Sequence, residues 1–159
     1  MMRRRSERVT YPFWAAEKIG ASSNPCNNMR ILLIGLGGFA GSILRYWVSG
    51  FVQRIASPSL FPWGTLIVNL TGCLLIGILS ELIAIRGRVL FGPEAYPLLV
   101  IGLLGGFTTF STFANETVNT LRNGLTAIAI MNIVASLFLG LVGVWTGRAL
   151  IHLFLGHLK

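Results

Sequence analysis

Charge is scarce in this sequence, because Asp, Glu, Lys and Arg together make up only 11% of its 159 residues. Soluble domains carry about 25% charged residues, so this chain lacks the charge to cover a surface that faces water. Its hydrophobic fraction is 53% and its mean hydropathy is +0.72. These values argue against a soluble enzyme and predict a membrane protein. At about 20 residues per span, plus loops, four helices would fill the chain.

Groups that perform acid–base or metal chemistry are equally few. Asp and Glu number 5 and His 2, and beyond residue 28 the only acids are Glu81, Glu94 and Glu116. Hydrolytic, redox and metal-centred catalysis therefore lack the side chains that they need. Residues 35–40 formally match a dinucleotide-binding pattern, but no acidic residue follows before Ser80, as that pattern requires. The sequence therefore does not predict an enzyme.

Long uncharged runs indicate where the chain crosses the membrane. Residues 55–80, 95–115 and 123–147 carry no charge and are long enough to span a hydrocarbon core of about 30 Å. A first span from residue 31 reaches this length only if it contains Arg45. We predict an all-α membrane protein with helices near 31–53, 62–85, 96–121 and 124–148. Continuous rather than alternating apolar sequence disfavours a β-barrel.

The first 28 residues differ from the rest in composition. They carry five basic and two acidic residues, and no apolar run long enough for a signal peptide. We expect a basic extension over 1–28 that is disordered or absent from the mature chain, with Met29 as the alternative start, and a four-helix transmembrane domain over 29–159. A third interpretation is a lipid-binding arm. In a membrane protein the net charge of +8 indicates anionic lipid headgroups rather than nucleic acid.

Small residues recur one helical turn apart within the predicted spans. Such pairs let helix backbones approach closely in lipid. They are Gly37/Gly41, Gly102/Gly106, Ser136/Gly140 and Gly143/Gly147. Because four short helices enclose little interior, these pairs predict a tightly packed bundle that includes helices from a second copy.

Polar side chains and a helix-breaking segment interrupt the apolar spans. Arg45, Asn69, Asn132 and Ser136 lie within the first, second and fourth spans, and an ionisable group at such a depth is usually functional. The third span carries adjacent glycines, β-branched threonines and repeated phenylalanines over 105–113, which predict a helix broken at mid-span. Its freed carbonyls are suited to a cation. Phe110 and Phe113 share a face, either as core aromatics or as rings whose positive edges meet an anion.

Three blocks of sequence resemble the Fluc-type (CrcB-like) family of fluoride channels. They are GGFAG at 37–41 with Arg45 and Tyr46, GTLIVN at 64–69 with Gly72, and GGFTTFSTF at 105–113 with Glu116. The resemblance implies four-helix subunits that pair as antiparallel homodimers of dual topology, with two fluoride pathways lined by both subunits. It also implies a structural sodium ion at the dimer interface, held by the backbone carbonyls of Gly105 and Thr108.

The resemblance further implies a set of pathway residues and a function. The residues are Phe110, Phe113, Asn69, Thr109, Ser136 and Asn132. Some members have tyrosine where this chain has Asn132 and serine where it has Gly140, so the outer end of the polar track differs. The implied function is a passive, fluoride-selective channel in the cell (plasma or inner) membrane. It would export cytoplasmic fluoride and so give fluoride resistance.

Two other functions compete with a channel. A small proton-coupled multidrug transporter needs a carboxylate in its first span, where this chain has Arg45 and no acid. A non-transporting scaffold explains the small-residue pairs but not the polar third span. Arg45 and Glu116 either line the pathway or serve the structure, by pairing with each other or capping a helix end.

Overall fold

The fold consists of long helices that match the predicted spans. The computed structural model describes residues 25–90, 92 and 94–155, with side chains at 28–85, 92 and 94–155. Of the predicted extension at 1–28, residues 1–24 lie outside the described residues. Residues 25–28 form the start of the first helix. The helices are α1 (Pro25–Ile55), α2 (Trp63–Leu90), α3 (a π-helix at Tyr96–Leu104 and an α-helical turn at Gly105–Phe107), α4 (Phe110–Arg122) and α5 (Thr126–Leu155).

Within the described residues, four segments are long and apolar enough to cross a membrane, which confirms the predicted all-α architecture. They are Asn28–Ile55, Trp63–Ile85, Tyr96–Arg122 and Thr126–Leu155. The last helix extends past the predicted end at residue 148, because a charged side chain such as Arg148 does not interrupt backbone hydrogen bonding. The third crossing is the most enclosed. In its most apolar stretch 39% of residues are buried, against 11% in the first crossing.

Large apolar side chains cover the outside of the bundle. Phe39, Tyr46 and Trp47 on α1 and Phe138 and Trp145 on α5 are all exposed. In water such a surface would drive aggregation, whereas lipid tails solvate it as well as a protein core does. The described part of the chain therefore has the surface of a protein whose solvent is the bilayer.

Glycines allow the helix backbones to touch, as the small-residue pairs predicted. A Cβ atom on Gly37 would collide with the carbonyl of Leu98, and one on Gly41 would collide with the carbonyl of Leu103. On the other side of the bundle Gly147 lies directly against the carbonyl of Leu74 on α2. Helix α1 thus packs on α3, and α2 packs on α5, at distances that no larger residue permits.

Gln53 fixes the connection between α1 and α2. Its Oε1 accepts a hydrogen bond from the N–H of Gly64 at 3.1 Å, and its Nε2 donates to the carbonyl of Phe61 at 3.3 Å. A Cβ on Gly64 would collide with the carbonyl of Ser49, so the start of α2 rests on the α1 backbone. These contacts set where α2 begins, and α2 carries Thr65 and Asn69 toward the middle of the bundle.

Candidate functional site

The third crossing is interrupted by two extended residues, which confirms the predicted break. Thr108 has φ −83° and ψ 157°, and Thr109 has φ −151° and ψ 116°. Gly105, by contrast, keeps helical angles of −62° and −38°. Gly106, which follows Gly105, stays helical and lies directly against the carbonyl of Gly38 on α1. The break therefore falls at the two threonines, because β-branched residues favour extended backbone.

Asn69 on α2 holds the break open. Its Nδ2 donates to the carbonyl of Thr109 at 3.0 Å, and its Oδ1 accepts from the N–H of Thr109 at 2.8 Å. The side chain thereby replaces the helical partners that the extended backbone has lost. The hydroxyl oxygen of Thr109 then accepts from the N–H of Thr112 at 3.2 Å and caps the start of α4.

Carbonyls before the break, those of Gly105 and Thr108 among them, lose their usual donors. In a continuous helix the carbonyls of Gly105 and Thr108 would accept from the N–H groups of Thr109 and Thr112, four residues further on. Those N–H groups donate instead to Asn69 and to the hydroxyl of Thr109. Gly105 is exposed on the single subunit. The two carbonyls are thus oxygen ligands of the kind that hard cations bind.

A cavity of about 260 Å³, which we call the phenylalanine cavity, lies beside the break. It collects five of the six predicted pathway residues, and Thr108 and Cys73 also contribute to its wall. The five are Asn69, Thr109, Phe110, Phe113 and Ser136. The rings of Phe110 and Phe113 have centroids 5.6 Å apart and planes tilted by 48°. Phe110 is 76% exposed and Phe113 only 9%, so the pair reaches from the surface of the subunit to its interior.

The sixth predicted residue, Asn132, lies behind this cavity rather than on its wall. It is 2% exposed, and its Nδ2 donates to the hydroxyl of Thr117 at 2.9 Å. The hydroxyl of Ser136 donates to Asn132 Oδ1 at 3.4 Å. Asn132 therefore joins α5 to α4 and contacts the cavity only through Ser136.

A second cavity, which we call the arginine cavity, shares Thr109 with the phenylalanine cavity. It measures about 240 Å³, and around Arg45 it is lined by hydroxyls from α1, α2 and α4. The hydroxyl-bearing residues are Ser42, Tyr46, Ser49, Thr65, Thr109 and Thr112. The hydroxyls of Ser49, Thr65 and Thr109 already donate within the protein, so the guanidinium of Arg45 is the group that makes this cavity favourable for an anion.

A third and larger cavity, which we call the glutamate cavity, measures about 430 Å³ and contains Glu116. It shares Ser49, Thr65 and Thr112 with the arginine cavity. Thr65 donates to Glu116 Oε1 at 2.8 Å, and the buried Glu116 Oε2 has no hydrogen-bond partner within the described residues. Arg45 and Glu116 thus line different cavities, and Thr65 and Thr112 form part of the wall between them. The arginine cavity therefore adjoins the phenylalanine cavity on one side and the glutamate cavity on the other.

Sequence reasoning assigned no role to Thr65 and Thr117, and both belong to the site. Thr65 lies four residues before Asn69 and therefore on the same face of α2, a spacing that could have identified it. Thr117 lies four residues after Phe113, and its hydroxyl donates to the Phe113 carbonyl at 2.7 Å. A threonine bonded to its own helix leaves no pattern in a single sequence, so nothing in the sequence pointed to Thr117.

The fold and the site together define a four-span helical membrane protein built around a broken third helix. The family described as "CrcB-like protein, Camphor Resistance (CrcB)" matches residues 32–148. The chain belongs to this family, as the three sequence blocks indicated.

Curated relatives support the same assignment. Three proteins named "Fluoride-specific ion channel FluC" are similar over most of their length. The protein from Opitutus terrae is 47% identical over 74% of this chain and 88% of its own. Those from Rhizobium meliloti and Agrobacterium fabrum are 45% and 43% identical, over 76% and 77% of this chain and 94% and 95% of their own.

Proposed function

We propose that the protein is a passive, fluoride-selective ion channel of the cell membrane and not an enzyme. One observation carries the proposal. The Asn69–Thr109 pairing at the helix break brings Phe110, Phe113 and Ser136 onto one cavity, in a chain whose relatives are named as fluoride channels. Hydrogen fluoride enters a cell as a neutral weak acid and ionises in the less acidic cytoplasm. A passive channel then lets the anion leave down its gradient and so gives fluoride resistance.

The chemistry of the phenylalanine cavity suits a small anion that holds its water tightly. A selective path must replace that water with fixed donors and dipoles. Asn69 spends one of its two amide hydrogens on Thr109, and the other remains for an ion. Ring edges of Phe110 and Phe113 carry partial positive charge, and Ser136 adds a hydroxyl.

The absence of a charged side chain from the wall of this cavity favours conduction. None of its described lining residues is Lys, Arg, Asp or Glu. A full positive charge would bind fluoride tightly and slow its release, whereas neutral donors let it enter and leave. Arg45 lines the adjoining arginine cavity instead. There it would raise the local concentration of anions without binding them inside the phenylalanine cavity.

The pathway requires a second copy, and we propose an antiparallel homodimer. Phe110 is 76% exposed on the single subunit, so a large aromatic ring that lines the cavity is left open on one side. Gly105, at the break, is exposed as well. A partner subunit packed against the break would cover both residues and complete two pathways, one on each side of the interface.

A structural sodium ion fits the same interface. The carbonyls of Gly105 and Thr108 have lost their helical donors, and Na⁺ is a hard cation that takes oxygen ligands. No cluster of three His, Cys, Asp or Glu occurs among the described residues, and the ligands proposed here are backbone oxygens. Bound between two inverted subunits, sodium would supply a fixed positive charge beside the pathway.

A flux assay tests the proposed function. The purified protein is reconstituted into liposomes loaded with sodium fluoride or sodium chloride, a sodium ionophore is added so that cation exit balances the charge, and efflux is followed with ion-selective electrodes. We expect rapid fluoride efflux and chloride efflux at the level of protein-free liposomes. Equal rates for the two halides, or no flux from a pure and folded dimer, would refute the proposal. The latter result would favour a non-transporting scaffold.

A further inference from the structure

The structure separates Asn132 from the ion that it was expected to contact. Asn132 is 2% exposed in a single subunit, and a partner can only cover it further. Ser136, one turn later on α5, lines the phenylalanine cavity and stands between Asn132 and the cavity interior. A permeating anion would therefore meet the hydroxyl of Ser136 and not the amide of Asn132.

Three hydrogen bonds run in one direction through Asn132. The hydroxyl of Ser136 donates to Asn132 Oδ1 at 3.4 Å, and Asn132 Nδ2 donates to the hydroxyl oxygen of Thr117 at 2.9 Å. The Thr117 hydroxyl in turn donates to the carbonyl of Phe113 at 2.7 Å. Because the Phe113 carbonyl can only accept, it orients Thr117, and Thr117 then presents a lone pair to the amide nitrogen of Asn132.

The orientation of the amide determines where the Ser136 proton points. With Nδ2 held by Thr117, the Oδ1 atom of Asn132 faces Ser136 and draws the hydroxyl hydrogen away from the cavity. At 3.4 Å this contact is longer than the usual range of about 2.5–3.0 Å for an O–H donor and is the weakest of the three. The hydroxyl can therefore leave Asn132 at small cost, donate to an anion in the cavity, and return when the ion has moved on.

We propose that Asn132 is a positioning residue that gives Ser136 a resting acceptor and so makes its hydroxyl a reversible donor to fluoride. The proposal rests on the proposed fluoride conduction. Asparagine suits the role because it offers both the donor that Thr117 holds and the acceptor that Ser136 uses. Leucine, of similar branched shape but larger volume, would offer neither, and the unpartnered hydroxyl of Ser136 would turn to another acceptor such as a backbone carbonyl of its own helix.

A double-mutant cycle on fluoride efflux tests this inference. The variants are Asn132→Leu, Ser136→Ala and the two combined, each purified as the full chain and reconstituted in liposomes. Loss of one working hydrogen bond corresponds to about a tenfold fall in rate. We expect each single variant to lose about tenfold, and the combined variant to lose no more than Ser136→Ala alone, because Asn132 acts only through Ser136.

Several results would overturn it. If Asn132→Leu lowers efflux by the same factor with and without Ser136, Asn132 either contacts the ion or serves only the packing. If Ser136→Ala conducts like the unmodified chain, the hydroxyl is not a donor and the inference also fails. An unmodified chain that conducts no fluoride would instead refute the proposed function, so the two failures are distinguishable.

Two further variants keep the test independent of folding. Thr117→Val removes the anchor of the Asn132 amide but preserves side-chain shape, and we expect it to lower efflux only when Ser136 is present. This variant decides the question if Asn132→Leu does not yield a dimer, and an equal loss without Ser136 would refute the inference. Met131→Leu, at an exposed neighbouring position on α5, should leave efflux unchanged.

Discussion

At the scale of single residues, Phe110 and Phe113 form a pair whose members meet different surroundings. Phe113 is 9% exposed and is buried within its own subunit, whereas Phe110 is 76% exposed on the single subunit. Their centroids are 5.6 Å apart, so an anion that passes one ring edge is already near the next. In the proposed pathway this spacing places the two rings close enough to act on the same anion.

Replacing both rings tests this role. In the double variant Phe110→Ile and Phe113→Ile the aliphatic side chains fill space but present no positive edge to an anion. If each ring contributes about 1.4 kcal/mol, fluoride efflux from liposomes should fall by about 100-fold. The dimer should still elute as a dimer in size-exclusion chromatography.

The matched control is Phe39→Ile, at an exposed position on α1 that lines none of the three cavities. It should conduct like the unmodified chain. Unchanged efflux in the double variant would remove both phenylalanines from the pathway.

At the scale of helices, backbone contact at glycine holds the broken crossing against its neighbours. Gly41 on α1 is the tightest case, since an added Cβ would collide with the carbonyl of Leu103 and the backbone nitrogen of Phe107. Those two residues belong to α3, immediately before the break. A shift there would move Thr108 and Thr109 and, with them, the phenylalanine cavity.

Gly41→Ala should therefore lower stability, with Gly35→Ala as its matched control on the same helix. Overpacking of this kind costs about 1–3 kcal/mol of unfolding free energy, and neither carbonyl nor backbone nitrogen can move aside. Nothing lies within 4 Å of a Cβ on Gly35, so alanine there should be neutral or slightly stabilising, as alanine forms helix better than glycine. Thermal unfolding of both variants in the same detergent measures the difference. Equal melting temperatures would contradict the packing role of Gly41.

The helices and their order were predictable from sequence, because an uncharged run of spanning length has few alternatives in a bilayer. The location of the break within 105–113 was only partly predictable. Glycine pairs and threonines both disfavour regular helix, and the structure keeps Gly105 helical while it extends Thr108 and Thr109. The deciding contact joins Asn69 to Thr109 across forty positions of chain, which no local pattern reveals. The π-helical winding of Tyr96–Leu104 was likewise not predicted, since apolar composition does not distinguish helix types.

The candidate site was likewise predictable from sequence in some respects and not in others. Residues of the phenylalanine cavity were identified through the resemblance, and their convergence on one cavity follows from the fold. The position of Asn132 behind Ser136 was not predictable, because Asn132 and Ser136 share a helix face and the spacing does not say which of them meets the cavity. Only the packing of α4 against α5, through Thr117, separates the two roles.

At the scale of the whole molecule, the proposed sodium ion at the proposed dimer interface leads to a prediction that needs no substitution. An ion that binds only the assembled dimer stabilises it by mass action, by about 2.7 kcal/mol at 100 times its dissociation constant. For a chain of this size that corresponds to about 5–10 °C in melting temperature. We expect the purified dimer to melt lower in potassium chloride than in sodium chloride of equal ionic strength. Equal melting temperatures in the two salts would argue against a sodium site.

The charge distribution of the chain bears on whether the proposed two inverted subunits can arise from one sequence. Beyond residue 28 the basic residues on the side of the termini are Arg30, Arg86, Arg88, Arg148 and Lys159. The opposite side carries Arg54 and Arg122, with Arg45 inside the first span. Positive charge in short flanking segments directs orientation, and this bias is modest. The five basic residues of the first 28 increase it in favour of cytoplasmic termini.

A chain that begins at Met29 should therefore insert in both orientations, whereas the full chain should favour one. An epitope tag placed after Lys159 and probed in cells with intact and opened membranes measures the fraction in each orientation. Replacing Arg3, Arg4, Arg5 and Arg8 by glutamine in the full chain is the matched control, and it should restore insertion in both orientations because it removes charge without shortening the chain. A single orientation for the chain that begins at Met29 would count against an antiparallel homodimer, since one sequence can supply both subunits only if it inserts both ways.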